Sequence, residues 1–422
     1  MGHKYQIFYP GKYLEWEKDL IEERIAIAKG EIPPKRPEGM PGRGAMPNVA
    51  VEYELLKYNR TWDPYNPLFN DKKYAQEAGY PDVPAWPCFK GPMAGVMLSI
   101  PKDIADTFYY ANDGTDMQFF TPIFPGDTFT SEVENIFFQE LTVPGSDLRL
   151  FRMGSTARMY NQRGELVVRS TGSVREGYRK IVDGSPKPSF SENMSEWVKY
   201  FPPAHYTTDE EWEYIKQLWD KEYIRGKNTL YWEDVKIGDE PAWTCSGPIT
   251  HMDMIGWYGG NYMPMRDQIK KGTRTLFRDQ YGQYLFETSI HFGGRNIPGA
   301  RMVFFNDTAC KHIVRMVTNY IGDAGFVTRV CWRFKQLFKE MWEDRPGGEI
   351  LDKVPYMKGK GCTRHGAEGD TVIAKGYVTD KYINERGEHI IDLACWAETL
   401  DSEIVQVVAA SARLPSRQSK GS

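Results

Sequence analysis

The chain has 422 residues, enough for two domains that each bury a core of their own. Its formal net charge is −4, with no long run of one sign, so it lacks the basic footprint of a nucleic-acid-binding protein. No apolar stretch reaches the roughly 18 residues needed to span a bilayer, and the polar, aromatic start MGHKYQIFYPGKYLEWEKDL is unlike the apolar core of a secretion signal.

Cys88, Cys245, Cys310, Cys331, Cys362 and Cys395 are scattered without a Cys-x-x-Cys pair. That spacing reads as buried thiols in a reducing compartment, the cytoplasm by default, and not as a zinc site. Aromatic residues reach 14%, high enough that some could line a pocket for a flat or bulky substrate as well as fill the core.

Residues 1–50 form an N-terminal arm: a charged helical stretch over residues 14–29, then the Pro/Gly-rich GEIPPKRPEGMPGRGAMP, which cannot hold regular structure. A first unit is expected over 51–180. It opens with the segment YNPLFNDKKYAQEAGYPDVPAWPCF, followed by GPMAGVMLSIPKDIADTF, read as a long helix broken or kinked at Pro101. Its strands read as MQFFTPIF, TFTSEVENIFF, LRLFRMGSTARMY and LVVRSTGSVREGY, with the period-two alternation of an antiparallel sheet. A linker over 181–228 carries a helix starting at Thr208, where a threonine cap precedes acidic residues.

The second unit is expected over 229–415. Its long helix lies in DTACKHIVRMVTNYIGD, with Ile313, Val317, Tyr320 and Ile321 as an apolar stripe. Four strands follow: VTRVCWRFKQLF, TVIAKGYVTDKY, HIIDLACWAET and IVQVVAASARL. A long insertion, residues 339–367, separates the first two and reads as a functional loop.

The two units repeat each other. PGDTFTSEVENIFF and MYNQRGELVVRSTGSV in the first match EGDTVIAKGYVTDKYINERGEHIIDLACWAET in the second, so one β-rich unit occurs twice in tandem. Asp127 and Asp370, in the repeated Gly-Asp-Thr, read as turn residues bonding the backbone.

Asn66-Pro67-Leu68-Phe69-Asn70-Asp71 with Tyr74-Ala75 and Gly79, and Pro122 with Pro125-Gly126-Asp127-Thr128, are local anchors in the first unit. Trp232-Glu233-Asp234-Val235, Gly238-Asp239-Glu240 and Gly247-Pro248-Ile249-Thr250 with Asp253 are anchors in the second. In this order they resemble the MaoC-like dehydratase and hydratase family. The resemblance implies an α+β fold: two hot-dog units fused in one chain, each a long helix wrapped by a curled antiparallel sheet, joined edge to edge. It also implies hydration or dehydration of an enoyl thioester by general acid/base catalysis, with an Asp/His pair in the family signature Asp-x-Asn-Pro-x-His.

That signature is intact in neither half. In the first, Phe69 stands at the histidine position and Asp63 lies one residue upstream of the aspartate position, which Pro64 holds. The N-terminal copy is therefore expected to be non-catalytic and to make room for the acyl chain. In the second, His291 precedes Asn296-Ile297-Pro298-Gly299-Ala300, which resembles a turn found in tandem members, while Gly293 replaces the expected aspartate.

His291 is accordingly the candidate acid/base, because histidine titrates near neutrality. Glu287 and Asp267 are candidate carboxylate partners, with Asp279 a further possibility. Gly299 and Ala300 would leave backbone N–H groups open to a thioester oxygen. Tyr258 and Asn261 could shape the pocket; Arg295 and Arg301, with Lys311 and Arg315, could meet coenzyme A phosphates. His251 reads as part of a helix start, His312 as packing, and His365 and His389 carry no assigned role.

The expected ligand is an acyl-CoA thioester, with coenzyme A as part of the substrate, no separate cofactor and no metal, acting in a homo-oligomer. A bulky, cyclic or aromatic acyl group would suit the aromatic content. Two rivals stand beside this: a hot-dog acyl-CoA thioesterase, and a non-catalytic acyl-CoA-binding or partner subunit.

Overall fold

A computed structural model describes residues 4–6, 22–23, 25–27, 29–32, 49–89, 108–140, 148–179, 207–249, 276–278, 284–286, 306–333, 348–353, 362, 366–367 and 369–418. In chain order the strands are β1 (Lys4–Gln6), β2 (Phe108–Phe119), β3 (Phe129–Glu140), β4 (Leu148–Asn161), β5 (Leu166–Arg179), β6 (Thr244–Ser246), β7 (Leu276–Arg278), β8 (Tyr284–Phe286), β9 (Phe326–Arg333), β10 (Val372–Ile383), β11 (His389–Glu398) and β12 (Ile404–Arg413). The helices are α1 (Glu52–Trp62), α2 (Lys72–Glu77), α3 (Asp209–Lys221), α4 (Asn306–Ile321) and α5 (Gly348–Leu351).

The repeated sequence makes repeated turns. Gly126 and Gly369 both have φ of 87°, left-handed backbone that glycine adopts without steric cost. The following carboxylate folds back on its own loop: Asp127 accepts from the Phe124 N–H at 2.9 Å, and Asp370 from the Ala367 N–H at 2.7 Å. Each turn then clasps the start of its unit, with Ala50 N–H donating to the Asp127 carbonyl and Ile249 N–H to that of Asp370. The Asn-x-Arg-Gly-Glu loops match too. Asn161 Oδ1 accepts from Arg163 and Glu165 N–H, as Asn384 Oδ1 does from Arg386 and Glu388. Asp127 and Asp370 are thus turn residues, as expected.

Ten strands form one sheet in the order β1-β3-β4-β5-β2-β9-β12-β11-β10-β6. Counted outward from the β2/β9 joint, both halves run first, fourth, third, second strand, so the duplication extends to topology. Every pairing in this sheet is antiparallel except β1 with β3. The joint runs from the Gly114/Arg333 pair to Gln118/Arg329. Across it the Arg329 guanidinium forks onto Asp116 at 2.9 and 2.8 Å, a bidentate geometry that fixes register. β7 and β8 form a separate two-stranded ribbon.

Most strands fall where alternation places them. The first does not: β2 begins at Phe108 and stops at Phe119, so MQFFTPIF is only partly strand. Pro122 and Pro125 lack the N–H a ladder needs.

α4 packs on β9, β10, β11 and β12. Ile313, Val317, Tyr320 and Ile321 are buried as the stripe predicted, but Val314 and Met316 are fully buried as well. A helix apolar around so much of its circumference must be covered on several sides. Here the sheet covers one side and the 52–89 segment another: α1 contacts α4, and Trp62 meets His312 edge-on at 5.7 Å between ring centroids.

Along β11, Leu393, Cys395 and Ala397 face the α4 core, while Ala394 and Trp396 point to the opposite face, as a pleated strand requires. That outer face is not bare. Ile350 and Leu351 of α5, within the 339–367 insertion, bury against Ala394, Trp396, Ile404 and Val407. This part of the insertion therefore serves as cover for the sheet, where the sequence suggested a functional loop.

α3 starts where expected, with a full capping box between Thr208 and Glu211. All six cysteines are buried and none forms a disulfide. Among the described residues no helix is long and apolar enough to cross a membrane. The long helix expected over residues 91–108 falls almost wholly outside the described residues.

Candidate functional site

The segment after α1 is irregular, so its backbone groups need partners outside a helix or sheet. Asn59, fully buried on α1, supplies three. Its Nδ2 donates to the carbonyls of Phe69 at 2.7 Å and Pro84 at 3.0 Å, and its Oδ1 accepts from Trp86 N–H at 2.7 Å. Asn66 caps the short 3₁₀ turn Pro67–Phe69 by accepting from Leu68 N–H, and Asp71 caps α2 by accepting from Tyr74 N–H. Ala85 N–H donates to the Ile123 carbonyl, which ties the segment to the loop after β2. The Asn-Pro-Leu-Phe-Asn-Asp stretch is thus a string of local caps that holds a wall in place.

That wall faces a cleft. Leu68, Phe69, Trp86 and Phe89 line it from the first copy's segment, and Phe119, Ile123 and Val168 from its sheet region. Ile321, Phe326 and Val327 close it from the second copy. Asn66, Tyr80, Thr121 and Thr318 are among its few polar side chains. Apolar walls with a few placed polar groups are the usual make-up of a small-molecule site. Phe69 contributes its ring to this wall, and a phenyl ring has no proton to transfer.

At the polar corner, Asp63 lies behind the lining and is 1% exposed. Asn66 Nδ2 donates to its Oδ2 at 3.2 Å, and Thr318 Oγ1 of α4 stands 3.2 Å from the same oxygen, across 255 positions of sequence. Burial pushes the Asp63 carboxyl up to about 6, against the opposing pull of Arg315, Asn66, Thr318 and the Trp86 indole.

Around this corner the remaining charged groups are structural. Arg315 donates to Glu222 Oε1 at 2.7 Å and to the Cys245 carbonyl at 2.9 Å, and Cys245 N–H donates to the same Glu222 oxygen. Arg315 is therefore spent on a largely buried ion pair and cannot meet coenzyme A phosphates, contrary to the sequence reading. The Lys311 ammonium stands 4.6 Å over the Trp62 ring, a cation–π contact. His312 is a packing residue: burial, then Arg315 and Lys311, drive its imidazole down to about 3, so it stays neutral.

His291, Glu287, Asp267, Gly299, Ala300, Tyr258, Asn261, Arg295 and Arg301 all lie outside the described residues, as do Asp279, His251 and His365. What the structure adds is Asn59, Asp63 and Thr318. Asp63 had a faint signal, as a carboxylate displaced by one position from a motif. Thr318 had none, since its partner is so distant in sequence.

Two units of one topology, sheets continuous at a shared joint and a long helix laid on the strands, define the double hot-dog fold. The chain is similar to a solved structure described as a MaoC-like dehydratase, with TM-score 0.50 and 16% identity, over 87% of this chain and 95% of the other. A protein of Chloroflexus aurantiacus described as a MaoC-domain dehydratase matches with TM-score 0.42 and 12% identity, over 87% and 92%. A Mycobacterium tuberculosis protein described as a double hot-dog fold matches with TM-score 0.39 and 11% identity, over 87% and 93%. No protein-family model and no curated protein sequence matches the chain. At 16% identity the first of these likenesses speaks for the fold and not for the reaction.

Proposed function

We propose that this protein reversibly hydrates the double bond of an enoyl-CoA thioester carrying a bulky, cyclic or aromatic acyl group. The observation that carries this reading is the cleft between the first copy's capped segment and the second copy's α4, with its aromatic and aliphatic walls. The N-terminal copy makes room for the acyl group, and the C-terminal copy does the chemistry.

In the reaction, water attacks the β-carbon as a base removes its proton, negative charge gathers on the thioester oxygen, and a proton returns to the α-carbon. His291 is the proposed acid/base, oriented by Glu287 or Asp267. The amides of Gly299 and Ala300 would hold the thioester oxygen. Tyr258 and Asn261 would shape the reacting end, while Arg295 and Arg301 would meet the coenzyme A phosphates. Coenzyme A enters as part of the substrate, and the protein works as a homo-oligomer in the cytoplasm.

Incubation with a panel of enoyl-CoA and saturated acyl-CoA esters tests this by mass. Gain of one water on the enoyl ester is the expected result, and His291→Ala lowers its rate by about 10²–10⁴-fold. Free coenzyme A would point to a thioesterase. No change in any ester would leave an acyl-CoA-binding or partner role.

A further inference from the structure

Asp63 is a buried carboxyl that sits at the wall of the cleft without lining it. It touches two groups that do, Asn66 from the first copy and Thr318 from the second. We propose that Asp63 is the positioning residue of the acyl pocket, holding Asn66 and Thr318 together from behind and so setting which acyl groups fit.

Burial favours a neutral form of this group, which is 1% exposed, and its hydrogen bonds admit one. Thr318 Oγ1 is 3.2 Å from Asp63 Oδ2 and 2.9 Å from the Arg315 carbonyl oxygen. A hydroxyl has one hydrogen to give, and a carbonyl can only accept. Asp63 Oδ2 also accepts from Asn66 Nδ2, and Thr318 either gives its hydrogen to that oxygen or, donating to the carbonyl, receives one from the protonated carboxyl. Loss of that proton puts a buried charge beside an apolar wall, which is costly without full pairing. Among the described residues the cation that acts on it, Arg315 on α4, is already bonded to Glu222. Asn66, Trp86 and Thr318 carry no charge, His312 is neutral, and Lys311 lies against Trp62.

This inference deepens the enoyl-thioester reading and rests on it for the identity of the ligand. A short acyl group would fill less of the cleft than a bulky one, which would reach the walls that both copies contribute. The test is calorimetric binding of butyryl-CoA and phenylbutyryl-CoA to the full chain, as wild type, Asp63→Ala and Asp63→Asn, at about pH 5 and about pH 8.

The expected result is that Asp63→Ala weakens phenylbutyryl-CoA about tenfold or more while butyryl-CoA stays within about twofold. Asparagine keeps the shape and an acceptor for Asn66, so Asp63→Asn restores binding. Wild type binds the bulky ester more tightly at the lower pH, and Asp63→Asn removes that difference. Equal weakening of both esters, or of neither, overturns the proposal, as does an Asp63→Asn protein that keeps the pH dependence. If Asp63→Ala does not fold, the Asp63→Asn comparison at two pH values decides. Binding without hydration of any enoyl ester defeats only the proposed reaction, whereas a wild type that binds neither ester defeats both.

Discussion

Replacing Asp63 by asparagine should stabilise the protein at neutral and alkaline pH and leave it nearly unchanged in acid. The carboxyl is raised from 3.8 to about 6 by burial, which outweighs Arg315 and its hydrogen bonds. Between those values the folded chain holds a proton that the unfolded chain has lost. The contribution is therefore complete below about pH 4 and disappears as pH climbs through about 6. A shift of about two units corresponds to about 3 kcal/mol. Above pH 6 wild type bears that burden and Asp63→Asn does not. At about 2.1 cal/mol/K per residue over 422 residues, this is a rise of about 3 °C in the midpoint if the chain melts as one unit. Urea unfolding of both proteins at about pH 4 and about pH 8, followed by circular dichroism, gives the difference directly. An equal effect at the two pH values, or a variant less stable at the higher one, would mean that burial does not hold a proton on Asp63. The second outcome would mean that Arg315 stabilises the carboxylate by more than burial penalises it.

Three further outcomes follow from the fold. A double-mutant cycle of Arg329→Ala and Asp116→Ala should show coupling of about 1 kcal/mol, modest because both side chains are about one-fifth exposed; additive effects would remove the fork from the joint between the copies. Glu222→Ala should cost about 3 kcal/mol in urea unfolding, since it strands Arg315 and the Cys245 N–H together. Gly154→Ala should cost about 2 kcal/mol or more, because a Cβ there would stand 2.4 Å from the Gly172 carbonyl oxygen and from the Phe137 ring; an unchanged midpoint would mean that β4 does not pass so close.

The duplication was legible because its markers are local. Gly126-Asp127 and Gly369-Asp370 close their own turns, and Asn161 and Asn384 bond N–H groups two and four residues ahead. Such chemistry depends only on neighbours in the chain, and strand alternation is equally local. The site was less legible because it is built from distant pairs. Arg315 read as a possible contact for coenzyme A phosphates, whereas it is paired with Glu222, 93 positions away. Asp63 and Thr318 meet only because the first copy's segment lies on the second copy's helix. The burial of α4 on several sides, and the cover that Ile350 and Leu351 give the outer sheet face, likewise come from packing that no window of sequence contains.

The most direct test of the account is a crystal structure of the protein with phenylbutyryl-CoA bound. It should show the phenyl group within about 4 Å of Phe69, Trp86 and Ile321, between the two copies. An acyl group lodged elsewhere, with this cleft empty, would contradict it.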